Sequence, residues 1–574
     1  MTGFATALSS QDSRPGPSRW LPALLLSLLV SLLIILPFFW RGNASGHDLM
    51  FHAESWLDVA GQWKQGVLYP RWSEWADYGY GEPRYIFYPP LSWMLGAALG
   101  SLLWWKIVPG LFIVLAQTLA GLSAFFLARR ILPQRGALFC AACYAASPYA
   151  LLTLYMRSDF AELLADAFFP LLILAALELA ELIESPPPVS PSPPFRKIVF
   201  FAIFFALIWL ANAPAAVIAS YAAALLFAFA AIAARSWRPL WRGAAGLALG
   251  FAFSGFYLLP AAYEQRWVNI QQALSTGLLP SENFLYAEIN DPEHTFFNFI
   301  ASTIAILLIV LTGLAALRAR RRKPGDAAAI GARLWAALLL SAAVATFLML
   351  RISSPLWAFL PKLRFVQFPW RWMSLLAIPF ALFLAAAIVR KRWGWAWLLA
   401  TFLCIAATGT FLVRHGWWDA EDLPVLQKAI TAESGYDGTD EYDPIGDDHT
   451  NIPVKSPRVQ VMDTDTMQGP VKKPTVSIVR WRPEEKEISV SSTLPFYLGI
   501  RLLNYPAWRV ELNGKRVATR GGEDYNQMIV PMPPGDFLVR VRFTRTWDRT
   551  AGGLLSIAGV LLALGLYRRE LTPR

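Results

Sequence analysis

Charged side chains are scarce in this chain. They make up 16% of its 574 residues, against about 25% in a soluble globular domain. A water-soluble fold of this length needs more polar surface, so it is excluded, together with a disordered chain and a coiled coil. Cysteine is scarcer still, with 3 in all, which excludes a disulfide-built secreted domain. Cys140, Cys143 and Cys404 all fall in apolar runs. Cys140-x-x-Cys143 has no second ligand pair for zinc, so a buried apolar role is the reading. No G-x-x-x-x-G-K-[ST] phosphate loop is present, which removes nucleotide chemistry of that kind. What abounds is apolar and aromatic: 56% hydrophobic residues, 25 Trp, 37 Phe and a mean hydropathy of +0.41. Amphipathic rings collect at membrane–water interfaces.

A hydrocarbon core about 30 Å thick needs about 20 apolar residues per helix. Such runs lie at 20–40, 105–128, 136–154, 163–183, 198–210, 215–234, 243–260, 299–317, 334–350, 372–389, 393–413 and 552–566. The expectation is an all-α polytopic protein of about twelve transmembrane helices in the cell inner (plasma) membrane. Basic clusters at Arg14/Arg19, Arg129/Arg130/Arg135, Arg196/Lys197, Arg235/Arg238/Arg242, 318–323, Arg390/Lys391/Arg392 and Arg568/Arg569 mark cytoplasmic loops by the positive-inside rule. Successive clusters must be separated by an even number of crossings. The apolar stretch 198–234 therefore has to break in two, and Asn212-Ala213-Pro214 supplies the break. Both termini then fall in the cytoplasm. The first run is long for a signal peptide and reads as a retained span. The net charge of +11 becomes a topology signal, and bases dispersed over short loops disfavour a nucleic-acid partner.

This topology puts 41–104, 261–298, 351–371 and 414–550 on the exterior. The expected organisation is a cytoplasmic tail (1–19), a membrane domain (20–413), an exterior β-rich domain (414–550) and a final helix with a cytoplasmic tail (551–574). The β-rich segment reads as strands at 475–481, 487–492, 496–503, 508–512, 528–530 and 537–543. Asn513-Gly514 signals a hairpin and Pro534-Gly535 a turn, which suggests a small sandwich. The acidic stretch Asp437-Gly-Thr-Asp-Glu-Tyr-Asp443 fits no EF-hand loop. A solvated loop or a contact with the membrane part is the preferred reading over a cation site.

Chemistry is expected on the exterior side. The first loop begins Gly46-His47-Asp48-Leu49-Met50-Phe51-His52. From Leu49 the spacing of Leu49, Ala53, Trp56, Ala60 and Trp63 predicts a helix along the membrane surface. Asp48 and His52 are four apart and share a face. Asp48 is a candidate general base or metal ligand, with His52 tuning it; a plain N-cap Asp is the alternative. His47 is a candidate substrate contact. Arg71 and Arg84 are candidate anion contacts or interfacial anchors. Next, Arg157-Ser-Asp159-Phe-Ala-Glu162-Leu-Leu-Ala-Asp166 sets three acids on one helical stripe at the start of a span. Acids there are costly and face a cavity or a partner. Arg371, in Phe368-Pro-Trp-Arg-Trp, stands at the mouth of a span and suits bidentate phosphate binding or snorkelling.

Gly46-His-Asp48-x-x-x-His52, Tyr69-Pro-Arg71-Trp, Gly79-Tyr-Gly81 and Phe87-Tyr-Pro-Pro90 resemble the first exterior loop of bacterial membrane proteins of the 6-pyruvoyl-tetrahydropterin synthase-related family. Arg157…Glu162…Pro170, the Arg371 motif and Trp508-Arg-Val-Glu-Leu-Asn-Gly are similar to that family as well. The family label implies no pterin chemistry. The family in turn resembles GT-C glycosyltransferases, which use a lipid-phosphate sugar. The chain departs at Asn212, where the family pattern leads to a His. The resemblance implies a GT-C-like fold, a catalytic or metal-binding role for Asp48 and a second acid at Glu162. It further implies a polyprenyl-phosphate sugar donor and a glycan, lipid or protein acceptor. Arg71, Arg157 or Arg371 would stabilise the departing phosphate, with Asp159 beside them. No metal ligand is assigned, and a divalent metal is left open. The competing expectations are a lipid or glycan flippase and a non-catalytic scaffold presenting the β-domain.

Overall fold

Where water is absent, each backbone N–H and C=O must be satisfied within its own segment, so the apolar runs become helices. The computed structural model describes residues 20–183, 195–320, 330–389, 394–446, 451–462 and 474–571. Among these residues ten helices are long and apolar enough to cross a bilayer. They are Leu21–Arg41, Trp105–Arg129, Gln134–Arg157, Phe160–Leu179, Ala213–Ala234, Pro292–Arg320, Ala332–Met349, Pro369–Ile388, Gly394–His415 and Trp547–Leu566. Arg238–Phe253 and Gly255–Trp267 form an eleventh as a pair bent by 78°. The run expected at 198–210 is the helix Phe195–Ala211, 17 residues long; at about 1.5 Å per residue it falls a little short of a 30 Å core. A helix therefore occupies every one of the twelve apolar runs, and ten are full spans by themselves. The Arg14/Arg19 and Arg390/Lys391/Arg392 clusters, part of 318–323 and Asp447/Asp448 lie outside the described residues.

The break at 212 is a capped restart. Asn212 is extended (φ −152°), and its side-chain oxygen accepts from Ala215 N–H at 2.9 Å. Asn is among the best N-caps, and Pro214 fits the first helical turn, where its missing N–H is not needed. The bent pair is held by close backbone packing. A Cβ on Gly552 would stand 2.5 Å from the Gly255 carbonyl oxygen, so the last span can lie against the bend only without side chains there.

The segment 41–104 corrects one expectation. Leu49–Lys64 is helical, but Leu49, Ala53, Trp56 and Ala60 are all buried. The helix is clasped between Pro90–Leu102 and Asp422–Thr431 and does not lie on lipid. Pro90–Leu102 is itself an apolar helix of 13 residues, entered from extended Pro89. It is too short to span, and Pro90 starts it.

The segment after the helix Gly394–His415 contains a sandwich of two antiparallel sheets. Its strands are β1 (Val459–Met462), β2 (Thr475–Arg482), β3 (Glu485–Ser492), β4 (Phe496–Leu503), β5 (Trp508–Leu512), β6 (Lys515–Val517), β7 (Arg520–Gly521), β8 (Gln527–Met532) and β9 (Gly535–Phe543). One sheet runs β1-β4-β8-β7, the other β2-β3-β9-β5-β6. Asn513 and Gly514, both at positive φ (48° and 82°), make the two-residue turn that pairs Leu512 with Lys515. Ile488, Val490, Leu498, Ile500, Val510, Val539 and Val541 fill the space between the sheets, and Trp72, Tyr80, Ile86 and Phe87 of the segment 41–104 join the same core. A short antiparallel pairing, Asn43 with Asp419 and Ala44 with Trp418, stitches the two segments together again.

Candidate active site

The Gly46-His47-Asp48 motif is sewn onto the turn before the helix Phe160–Leu179. Gly46 N–H donates to Ser158 Oγ (3.0 Å), and Asp48 N–H donates to the Arg157 carbonyl (2.8 Å). A Cβ on Gly46 would stand 2.5 Å from the Met156 carbonyl oxygen, so only glycine permits this approach. Ser158 turns the chain in the left-handed region (φ 54°) and donates to the Ala44 carbonyl at 2.7 Å. The preceding turn, Thr153–Arg157, is a π-type turn, a device common at functional sites.

This backbone seam places Asp48 against Arg157. Asp48 occupies the N-cap position of Leu49–Lys64 yet makes no capping bond. Its Oδ2 instead accepts from Arg157 Nη2 at 3.1 Å. Asp159 does cap its helix, accepting from Glu162 N–H at 2.9 Å, and also accepts from Arg157 Nη2 at 2.7 Å. Glu162 accepts from Arg157 Nη1 and Tyr149 Oη, and from Arg371 Nε at 3.2 Å. Arg371 Nη2 lies 3.6 Å from Asp159 Oδ2, and its Nη1 donates to the Val366 carbonyl (3.0 Å) and Gln367 Oε1 (3.1 Å). Two guanidinium groups and three carboxylates thus interlock, drawn from the segment 41–104, the 157–162 turn and the Pro369–Trp372 turn.

The network forms the polar corner of a cavity of about 910 Å³. His47, Asp48, Arg157, Asp159 and Arg371 line it. Apolar residues line it as well: Trp209, Val217, Phe251, Leu258 and Ala261 come from the helices beside the Asn212 break and the 254 bend. Lys362 also lines it. Arg157, Arg371 and Lys362 are the lysine and arginine residues on the wall; among the described residues Lys362 has no carboxylate within 4 Å. Its Nζ donates to Gln265 Oε1 at 3.3 Å.

The sequence-read residues do not all reach this wall. The Asp48 side chain is 37% exposed and the Glu162 side chain 1%, so Glu162 braces the network from behind. His52 is buried, with Nε2 3.5 Å from Asp159 Oδ1 and its ring against Phe160. It supports the corner without lining the cavity. Arg71 is carried elsewhere: its guanidinium lies over the Tyr69 ring at 4.3 Å, and its electrostatic neighbours are Arg549, Glu264 and Glu484. Arg84 is fully buried with Glu82 and Glu54. The 437–443 stretch packs against the segment 41–104, with Thr439 N–H donating to Glu82 Oε2 at 2.8 Å. Carboxylate oxygens of Asp77, Glu82 and Asp443 gather there within 4.8 Å of one another. That is a cation-sized cluster, but it is separate from the Asp48 corner and Glu82 already serves Arg84.

Sequence reading missed Lys362, His294, Asn283 and Glu441 on the cavity wall. His294, one of only 5 histidines, opens the span Pro292–Arg320 and meets Asn283 Oδ1 at 2.7 Å. Its place in the first turn of a span was the available signal. Lys362 and Glu441 gave none, since only tertiary folding brings them here.

Burial pushes the Asp48 carboxyl above its ordinary value, against the pull of Arg157. Asp159 goes the other way: although burial alone would raise it, Arg157, His52 and Arg371 together hold it well below the carboxylate range. Burial, with Arg157 adding to it, lowers His47 to about 4, so it is neutral at physiological pH. Burial raises Glu441 to about 7. Two carboxyls on one guanidinium are thereby pushed apart, as an acid–base site requires.

No curated protein matches the sequence. Among solved structures the chain is similar to arabinofuranosyltransferase AftD from Mycobacteria, at 18% identity and TM-score 0.45, covering 74% of this chain and 30% of that one. The chain thus spans about three-tenths of the AftD length. Oligosaccharyltransferase AglB from Archaeoglobus fulgidus, in complex with an inhibitory peptide and a dolichol-phosphate, gives 13% identity and TM-score 0.38, covering 73% and 56%. ArnT from Cupriavidus metallidurans, bound to undecaprenyl phosphate, gives 12% identity and TM-score 0.32, covering 81% and 97%. The family model of the 6-pyruvoyl-tetrahydropterin synthase related domain, described as a membrane protein, matches residues 85–415. That match takes in more than half the sequence, and the chain belongs to this membrane-protein family.

Proposed function

We propose that the chain is a membrane glycosyltransferase that moves a sugar from a polyprenyl-phosphate donor to an acceptor hydroxyl at the exterior face of the inner membrane, with both termini cytoplasmic. The observation that carries this reading is the two-part lining of the cavity: an acid–guanidinium corner and apolar side chains from the broken helices. A lipid-phosphate sugar has the same two-part chemistry. The prenyl chain lies along Trp209, Phe251 and Leu258, and the phosphosugar lies in the polar corner.

Asp48 is the general base. It faces the cavity, and its raised pKa makes it a better proton acceptor than Asp159. It takes the proton of the acceptor hydroxyl while that oxygen bonds to the anomeric carbon. The bond from that carbon to the phosphate oxygen breaks, and the electron pair leaves with the lipid phosphate. Arg157 and Arg371 are already held by carboxylates, so Lys362 is the cation with charge to spare for the phosphate. Glu162 and His52 are positioning residues. A positioned base contributes about 10²–10⁴-fold, and each donor aimed at developing charge contributes roughly 3–4 kcal/mol.

The test is sugar transfer from labelled polyprenyl-phosphate sugars by the purified protein. Wild type should transfer, and Asp48→Asn should transfer about 10²–10⁴-fold more slowly at unchanged expression and fold. Full transfer by Asp48→Asn ends the assignment. Movement of labelled lipid across liposomes without any transfer would favour a flippase instead.

A further inference from the structure

A second groove, of about 740 Å³, lies on the sandwich. Arg266 and, from the two strands of the β5–β6 hairpin, Arg509 and Arg516 line it, all exposed, together with the amides of Asn504 and Asn526 and the hydroxyl of Thr519. No Asp or Glu lines it. Arg509 holds Glu511, outside the groove, at 2.9 Å; Arg266 lies over the Tyr263 ring at 3.7 Å. Arg516 makes no ion pair among the described residues. The groove sits at the open side of the sandwich, where the chain passes from edge strand β6 of one sheet to edge strand β7 of the other.

Its position relative to the cavity is informative. Val268 bridges to Pro444, Asn269 N–H donates to the Asp443 carbonyl (2.9 Å), and Ile445 N–H donates to the Trp267 carbonyl (3.0 Å). From this two-stranded partition Gln265 and Tyr442 line the cavity, and Arg266, Trp267 and Pro444 line the groove. Neighbouring residues of the same two segments serve both.

We infer that the groove is a subsite for a polymeric acceptor glycan bearing repeated oxyanions, whose reacting end crosses the partition to Asp48; this rests on the transferase reading above. Guanidinium forks pair with carboxylate and phosphate oxygens alike. Three of them spread along one groove match repeated anions better than the single anion of a lipid headgroup. The amides and hydroxyl suit sugar hydroxyls.

The test uses the full chain in phosphatidylcholine nanodiscs, with hexameric oligogalacturonate as the anionic probe and maltohexaose as the neutral one. The expected result is binding of oligogalacturonate that weakens as NaCl rises, and no binding of maltohexaose. The triple variant Arg266→Gln/Arg509→Gln/Arg516→Gln should lose affinity by about tenfold or more. The corresponding triple Lys variant keeps the charge and should retain most of the binding; it decides the matter if the Gln variant fails to fold. Equal binding of both sugars, salt-independent binding, or undiminished binding by a folded Gln variant overturns the inference. So does loss of binding in phosphatidylglycerol nanodiscs, which would give the groove to lipid headgroups. Absence of transfer by wild type would sink the transferase reading and leave this binding result standing. Normal transfer with an unchanged acceptor KM in the Gln variant would overturn the groove alone.

Discussion

Asp48 and Asp159 share the Arg157 guanidinium, yet their environments drive them apart. With Asp48 as base, kcat/KM should rise with pH along an acid limb that lies above the ordinary Asp value of 3.8, because the deprotonated form is the active one. Asp159, held low, contributes no limb in the accessible range. A pH–rate profile of wild type against Asp48→Asn checks this: the variant should lose about 10²–10⁴-fold and the limb with it. His47 is neutral above about 4, so His47→Gln should leave the profile between pH 6 and 8 unshifted. Glu162→Gln is a different kind of loss. It removes one of the two carboxylates that Arg157 and Arg371 share, leaving Asp159, and the lost charge-assisted bonds should cost about 1.5–3 kcal/mol. Thermal unfolding should show that destabilisation in Glu162→Gln and little in Asp48→Asn; equal effects would contradict the division into brace and base.

At the scale of elements, what was legible in the sequence was what periodicity and length encode. The twelve apolar runs became helices because hydrocarbon permits little else, and Asn212-Ala213-Pro214 broke where Pro and an Asn cap dictate. The strand runs at 475–543 and the Asn513-Gly514 turn followed from β-branched alternation and positive φ. Pro90–Leu102, at 13 residues, is below spanning length, and its packing on Leu49–Lys64 makes it a helix worth forming. The same packing hid the burial of Leu49–Lys64, whose pattern suits a lipid surface equally well. The capped break can be tested directly. Asn212→Ala removes the bond to Ala215 and should cost about 1 kcal/mol; Asn212→Ser should restore it. A full effect in Asn212→Ser would show that the cavity wall, and not the cap, is what Asn212 serves.

Across the whole molecule the candidate site is a product of long-range assembly. Asp48, Arg157, Lys362 and Glu441 come from four separate segments, and no local pattern links Lys362 or Glu441 to the other two. The sandwich likewise shares its core with Trp72, Tyr80, Ile86 and Phe87. The segment 451–546 expressed alone should therefore expose apolar surface and aggregate, whereas a stable monomeric fragment by light scattering would show the two parts to be independent. Glu441 gives a pH signature to this docking. Its folded pKa, raised to about 7 by burial, means its contribution is present below the unfolded value and lost as pH rises through 7. Melting temperature should fall between about pH 4.5 and 7 in wild type and level off above that, and Glu441→Gln should flatten the fall.

The most direct measurement is a cryo-EM map of the protein with decaprenyl phosphate added. The account predicts the phosphate between Lys362 and the Asp48–Arg371 corner, with the prenyl chain running along Trp209 and Phe251. Lipid density confined to the outer surface of the helices, with the corner unchanged, would contradict it.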